Sequence, residues 1–136
     1  MSLTKILKAE IVTPIAACYS KNVHMIVIPG SKGEFGVLPG HVAMIIAIKP
    51  GVVVTYNENM QEMDKIFIAG GFVEITPESA SILAEEACYL KDYNLKDANE
   101  RLARLKDDLS FCKNEEEAEI VNKDIQISEA LITALK

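Results

Sequence analysis

Any chemistry in this chain would have to come from three cysteines, two histidines and one glycine-rich run. Cys18, Cys88 and Cys112 are odd in number and widely spaced, with no CxxC pair and no Cys/His cluster. That pattern supports neither a zinc site nor a disulfide framework, and buried, reduced thiols in a cytosolic compartment are the expectation. His41 is of a type that titrates near neutrality. Acid–base catalysis would also need a partnered nucleophile or carboxylate, and no triad pattern accompanies His41 or His24. His24 reads as a packed side chain within a strand. The run Gly33-Glu34-Phe35-Gly36-Val37-Leu38-Pro39-Gly40-His41 is rich enough in glycine to suggest a phosphate cradle. It contains no GxxxxGK[ST], and no GxGxxG opens a helical pattern, so nucleotide binding by this loop is not expected. Taken as residues alone, the loop is either a corner shaped by glycine and proline or a recognition surface carried on a rigid scaffold.

That scaffold is legible in the first 90 or so residues. Apolar, β-branched and aromatic runs predict strands at Lys5–Val12, Val23–Ile28, Ala43–Ile48, Val52–Tyr56, Lys65–Ala69, Phe72–Ile75 and Ser81–Glu85. Pro29-Gly30, Pro39-Gly40, Pro50-Gly51 and Thr76-Pro77-Glu78 punctuate them, with proline presetting one turn position and glycine accepting positive φ at the next. Short strands at this spacing predict an antiparallel β-sandwich or barrel over residues 1–88. Two runs, Met44-Ile45-Ile46-Ala47-Ile48 and Ile66-Phe67-Ile68, are apolar on both alternating faces, whereas a sandwich strand needs only one. Either a closed barrel supplies extra packing, or a partner covers the second face; the patch argument favours a partner.

Beyond Tyr93 there is no glycine and no proline. Leu95, Ala98, Leu102, Leu105 and Leu109 draw one stripe down a helix, with Asn94 as its N-cap and Asp97 three residues on. A second helix is predicted after Asn114, where Glu117 completes a capping box and three glutamates face the positive end of the dipole. Its stripe runs through Ala118, Val121, Ile125, Ile132 and Leu135, interrupted at Ser128. The short connection at Ser110–Lys113 predicts an antiparallel helical hairpin over residues 89–136, making the chain α+β overall.

Composition narrows the classes further. The chain has 136 residues, 49% of them apolar, and a formal net charge of −6; its pI is near 4.9. Nucleic-acid binders carry a basic face, so that class is excluded. No run reaches the ~20 apolar residues of a membrane span, and the N-terminus enters a strand pattern without a leader-like segment. A cytosolic location is expected, with membrane association only through partners.

The stretch GEFGVLPGHVAMIIAIKPG resembles the signature region of the epsilon subunit of bacterial F-type ATP synthases. Phe67-Ile68-Ala69-Gly70-Gly71-Phe72-Val73-Glu74-Ile75 is similar to the family's second recurrent segment, two apolar strands about a Gly-Gly pair. The resemblance covers essentially the whole chain and implies a non-catalytic rotor subunit that ties the gamma shaft to the membrane c-ring, at the cytoplasmic face of the bacterial inner membrane. It implies ring contact by Glu34, Phe35, Gly36, Val37, Leu38, Pro39, Gly40 and His41, with Glu34 meeting a cationic ring residue. It also implies that the hairpin can extend about a hinge at Glu85–Asn94 and meet the alpha and beta subunits through Arg101, Arg104 and Lys106. From Asn94 onward there are 7 basic and 10 acidic residues, a net of −3, so modest or no inhibition of hydrolysis is expected.

Some bacterial relatives bind ATP here through [IL]-D-x-x-R-A. Aligned on Leu95, this chain has Lys96, Asn99 and Glu100 in the aspartate, arginine and alanine places. Asparagine cannot supply the bidentate fork of arginine. Shifting to Asp97 puts Lys96 before the aspartate, Glu100 in the arginine place and Arg101 in the alanine place. No ATP site, cofactor, metal or catalytic residue is assigned. The alternative is a free-standing ligand- or protein-binding sandwich with a dimerising helical tail, which would not co-purify with a gamma subunit.

Overall fold

The computed structural model describes residues 6–136. The chain divides into two compact units, the first ending at Tyr89 and the second beginning at Leu90. The first is a near-closed β-sandwich of ten strands: β1 (Leu7–Val12), β2 (Ala17–Val23), β3 (Met25–Gly30), β4 (Gly33–Val37), β5 (Met44–Ile48), β6 (Gly51–Tyr56), β7 (Glu62–Ile68), β8 (Gly71–Ile75), β9 (Ser79–Ala84) and β10 (Ala87–Tyr89). They form one sheet in the order β10-β7-β6-β3-β5-β8-β9-β1-β2, with β4 added on β3. Alternate side chains point inward, as the period of two requires. Leu7, Ala9 and Ile11 of β1 meet Ile26 and Ile28 of β3, Val73 and Ile75 of β8, and Ile82 of β9 in one core with no solvent exposure.

The expected strands are present, with their ends moved by at most three residues; Lys5, in the first of them, lies outside the described residues. Three strands were not expected. β2 reads Ala-Cys-Tyr-Ser-Lys-Asn-Val and sends inward only Tyr19 and Val23, so its apolar signal is thin. β4 hides behind two glycines, and β10 has three residues. His24 is not within a strand but at the bend between β2 and β3. The sheet is not purely antiparallel, because β1 pairs in parallel with β9 from Lys8↔Ser79 to Val12↔Leu83. The hinge expected at Glu85–Asn94 also narrows. Ala87, Cys88 and Tyr89 pair with Ile68, Phe67 and Ile66 of β7, which leaves a 3₁₀ turn at Leu90–Asp92 and the residues after it.

β2 and β10 are the two ends of the sheet path, and Tyr19 brings them together. Its ring meets Tyr89 edge-on at a centroid distance of 6.1 Å. Its hydroxyl donates to Asp64 Oδ2 of β7 at 2.7 Å and lies 3.1 Å from Thr55 Oγ1 of β6. Lys21 Nζ adds a second bond to the same carboxylate at 3.0 Å, and Thr55 Oγ1 accepts the Asp64 N–H. Burial, followed by the neighbouring Asp64 carboxylate, pushes the Tyr19 phenol well above its ordinary value of 10.0, against an opposing pull from Thr55. The Asp64 bond likewise raises Lys21.

The second unit holds α1 (Leu95–Ser110) and α2 (Glu115–Leu135), which pack on each other across a short connection. Asn94 Oδ1 accepts the Lys96 and Asp97 N–H groups, as its N-cap role predicts. Asn114 Oδ1 accepts the Glu117 N–H, and Glu117 Oε2 reaches back to the Lys113 N–H at 2.9 Å, one residue before the cap. On α1 only Ala98 is fully buried, whereas α2 buries Ile125, Ile127, Ser128, Leu131 and Ile132, a broader face than the stripe expected.

The Tyr19 cluster sets two expected outcomes. Tyr19→Phe removes both hydroxyl bonds and lowers the unfolding free energy by about 1–3 kcal/mol, read by urea denaturation. A phenol raised on folding contributes its full stability below the unfolded value near 10 and loses it as pH rises further. The thermal midpoint therefore falls above about pH 10, and less steeply in Tyr19→Phe than in the parent chain.

Candidate functional site

The glycine-rich segment proves to be a strand and a loop rather than one loop. Gly33–Val37 is β4, hairpinned onto β3 through Ser31 and Lys32, with Pro29↔Glu34, Ile28↔Phe35, Val27↔Gly36 and Ile26↔Val37 in register. Glu34 is exposed beside the turn, and Leu38–His41 follow at the opposite end of the strand. Four steps of about 3.3 Å separate Glu34 from Leu38 by roughly 13 Å. The eight residues expected to act together are thus divided between two ends of the sandwich.

They also differ in exposure. Val37 is fully buried in the core and cannot contribute to a surface patch, which corrects its expected place at the interface. Phe35 is half-buried against the core, and its ring occupies the space above Gly30 that a Cβ would need. Leu38 remains 47% exposed, and Val42 just beyond it is bare. Gly40 has φ of +89° and donates its N–H to the Pro77 carbonyl at 2.7 Å. This pins the loop to the β8–β9 turn with a backbone conformation that glycine tolerates. His41 Nδ1 lies 2.7 Å from the Val42 carbonyl. Among the described residues no group of three His, Cys, Asp or Glu is gathered as a metal site.

The doubly apolar strands part company. Ile66, Phe67 and Ile68 of β7 are all buried within the chain. On β5, by contrast, Ile45 is 72% exposed. Register extends this surface sideways: Ala47 faces Phe72 of β8, Phe72 faces Leu83 of β9, and Leu83 faces Val12 of β1. Phe72 and Leu83 are 57% and 61% exposed, and an open hollow lies between them and Val12 and Pro14. Ile15 projects from the β1–β2 turn, whose form is set by Thr13 Oγ1 accepting the Ile15 and Ala16 N–H groups. The result is one bare apolar face across four strands, next to Glu74, with Val42 and Met44 continuing it toward the Leu38 loop.

Sequence reasoning marked Ile45 on this face but missed Phe72, Leu83 and Ile15. Ser81-Ile82-Leu83-Ala84 carried a signal, since Ile82 and Leu83 must point to opposite sides of the sheet. The strand partnership that places Leu83 beside Phe72 carried none. Gly71 belongs to the same neighbourhood. At φ of +145°, a Cβ on it would run into the Leu83 carbonyl oxygen, so the close approach of β8 to β9 depends on glycine.

Of the cationic residues on α1, Arg101 and Arg104 line one hollow together with Leu105, Asp107 and Asp108. Lys106 is turned away from it by the ~100° step per residue of an α-helix.

Comparison with known proteins bears on the sandwich first. A family model described as the ATP synthase delta/epsilon chain beta-sandwich domain matches residues 6–89. The ATP synthase epsilon chain of Rhodospirillum rubrum is 35% identical over 127 residues, covering 93% of this chain and 94% of that one. The ATP synthase epsilon chain of Granulibacter bethesdensis is 44% identical over 94 residues, 69% of each chain. In fold, the chain is similar to one in the cryo-EM structure of the Euglena gracilis mitochondrial ATP synthase OSCP/F1/c-ring, with a TM-score of 0.83 at 21% identity over all of this chain and 85% of that one. A chain of the Tetrahymena thermophila mitochondrial ATP synthase central stalk/c-ring superposes with a TM-score of 0.63 at 12% identity, each covered in full.

The inward and outward roles within the glycine-rich segment are separable by substitution. Val37→Ala lowers stability by about 2 kcal/mol, whereas Leu38→Ala stays within about 0.5 kcal/mol of the parent, both measured by urea denaturation.

Proposed function

The chain belongs to the ATP synthase delta/epsilon chain family, and from that premise we propose that its bare β5–β8–β9–β1 face seats the gamma shaft while the β3–β4 turn meets the membrane c-ring. It is an epsilon-type subunit of the central stalk of an ATP synthase and is not itself catalytic. Catalysis resides elsewhere in the complex; this subunit couples the rotation of shaft and ring for proton-driven ATP synthesis.

The exposed row of Phe72 and Leu83 with Ile45 carries this reading. Contiguous apolar surface of this kind marks an interface rather than a solvated face. The division of the glycine-rich segment refines the contacts. Glu34 and Lys32 are both exposed at the hairpin turn, where charged side chains suit the polar loops of the ring. Leu38, Pro39, Gly40 and His41 lie at the other end, where Val42 and Met44 run into the Ile45 surface, and there they extend the seat of the shaft. No helix among the described residues is long and apolar enough to cross a membrane. In this reading the subunit is held peripherally at the cytoplasmic face of the bacterial inner membrane by its partners.

The second unit would regulate hydrolysis by extending about the segment Leu90–Asn94 toward the alpha and beta subunits. Arg101 and Arg104 are the cations placed to meet them together, but Asp107 and Asp108 share their hollow. The first turn of α2 is acidic at Glu115, Glu116 and Glu117. Electrostatic inhibition is accordingly weak.

Two measurements test these assignments. Ile45→Asp combined with Phe72→Asp abolishes stoichiometric co-purification with gamma while the isolated subunit keeps its thermal midpoint; retained co-purification refutes the seat. Deleting residues 94–136 raises hydrolysis by the assembled complex less than about fivefold, the factor corresponding to ~1 kcal/mol from a surface ion pair. A larger rise refutes weak inhibition.

A further inference from the structure

Ser128 lies on the buried side of α2, three residues from Ile125 and Leu131 and four from Ile132, and only 1% of it is exposed. Its Oγ is buried and has no hydrogen-bond partner among the described residues. A helical serine or threonine ordinarily satisfies its hydroxyl on the carbonyl four residues back. Thr133 does so on the same helix, donating to the Glu129 carbonyl at 3.0 Å. Thr133 is exposed, however, and can also meet water; Ser128 Oγ makes no such bond and is shielded from solvent.

The remaining buried residues of α2 are isoleucine and leucine. A hydroxyl among them gives up its water and gains nothing in return, whereas an apolar group of similar size would incur no such loss. The penalty exists only while that face is packed. It vanishes when α2 opens and Ser128 meets solvent.

We propose that Ser128 is a built-in weak point of the second unit: its unpaired hydroxyl lowers the stability of the packed hairpin relative to its open form and sets how often α2 is released. This deepens the regulatory reading above. Its consequence for hydrolysis rests on that reading, but its effect on the isolated subunit does not. The regulation is carried by desolvation rather than charge, which agrees with a hairpin whose charges are poorly arranged for attraction.

The test is amide hydrogen exchange across Ile125–Ile132 in the full-length subunit, under reducing conditions, for the parent, Ser128→Ala and Ser128→Cys. Alanine also raises helix propensity, so on its own it would not separate the two causes. Cysteine matches serine in helix propensity and closely in size, and it replaces the hydroxyl with a weakly polar thiol. The expected result is exchange slowed by about tenfold in both variants, as loss of an unsatisfied buried hydroxyl predicts. Slowing in Ser128→Ala alone assigns the effect to propensity and overturns the proposal, as does unchanged or faster exchange in Ser128→Cys. Hydrolysis by the complex containing Ser128→Cys is then measured separately. Slowed exchange with unaltered hydrolysis sustains the weak point and refutes only the regulatory role of the hairpin.

Discussion

A sheet of ten strands has two ends, and here Tyr19 joins them by keeping its proton. The hydroxyl donates to Asp64 only while neutral, and its burial makes ionisation unfavourable. One side chain on β2 thereby engages β6, β7 and β10, and Asp64 is held in turn by Lys21 at its carboxylate and by Thr55 Oγ1, which accepts its backbone N–H. Without this closure β2 would be an open edge with only two inward anchors. The interior of the sandwich would then be accessible along its length, and the apolar outer face would lose the rigid support that gives it a defined shape.

Closure also explains how a small sandwich can leave so much apolar surface outside. The core is completed by residues with no exposure on seven strands, so the outward residues of β5, β8 and β9 are not needed to hold the fold. They are free to serve a neighbour. The same economy is visible at Gly71, where β8 approaches β9 so closely that no side chain fits, bringing Phe72 and Leu83 into one surface. The backbone approach and the recognition face are two sides of one local constraint.

Much of this was legible in the residues. The glycine–proline punctuation located most strands, and the loss of both residue types after Tyr93 marked the start of the helices. Asn94 and Asn114 announced the caps they form. What escaped notice did so for physical reasons. β2 is half polar because one of its edges is unpaired, and β4 carries glycines that read as a loop although Phe35 and Val37 alternate inward. Val37 looked like an interface residue because a signature motif blends residues that shape the fold with residues that touch partners. Only the pairing of β4 with β3 separates them. The outer face needed the order β5-β8-β9-β1, which no local pattern encodes, since β1 and β9 stand at opposite ends of the domain sequence.

That pairing of β1 with β9 also bears on how the protein is made. A ribosome releases β1 first, but its parallel neighbour arrives only after nearly all the rest of the sandwich has emerged. β1 can hairpin onto β2 at once, but its other edge stays unpaired, and Leu7, Ala9 and Ile11 stay uncovered in the nascent chain, until β9 has been made. Contacts so distant in sequence make folding slow, and they lengthen the period in which unpaired strand edges invite aggregation. Cellular yield should therefore respond more to chaperone supply during translation than the equilibrium stability of the finished sandwich would suggest.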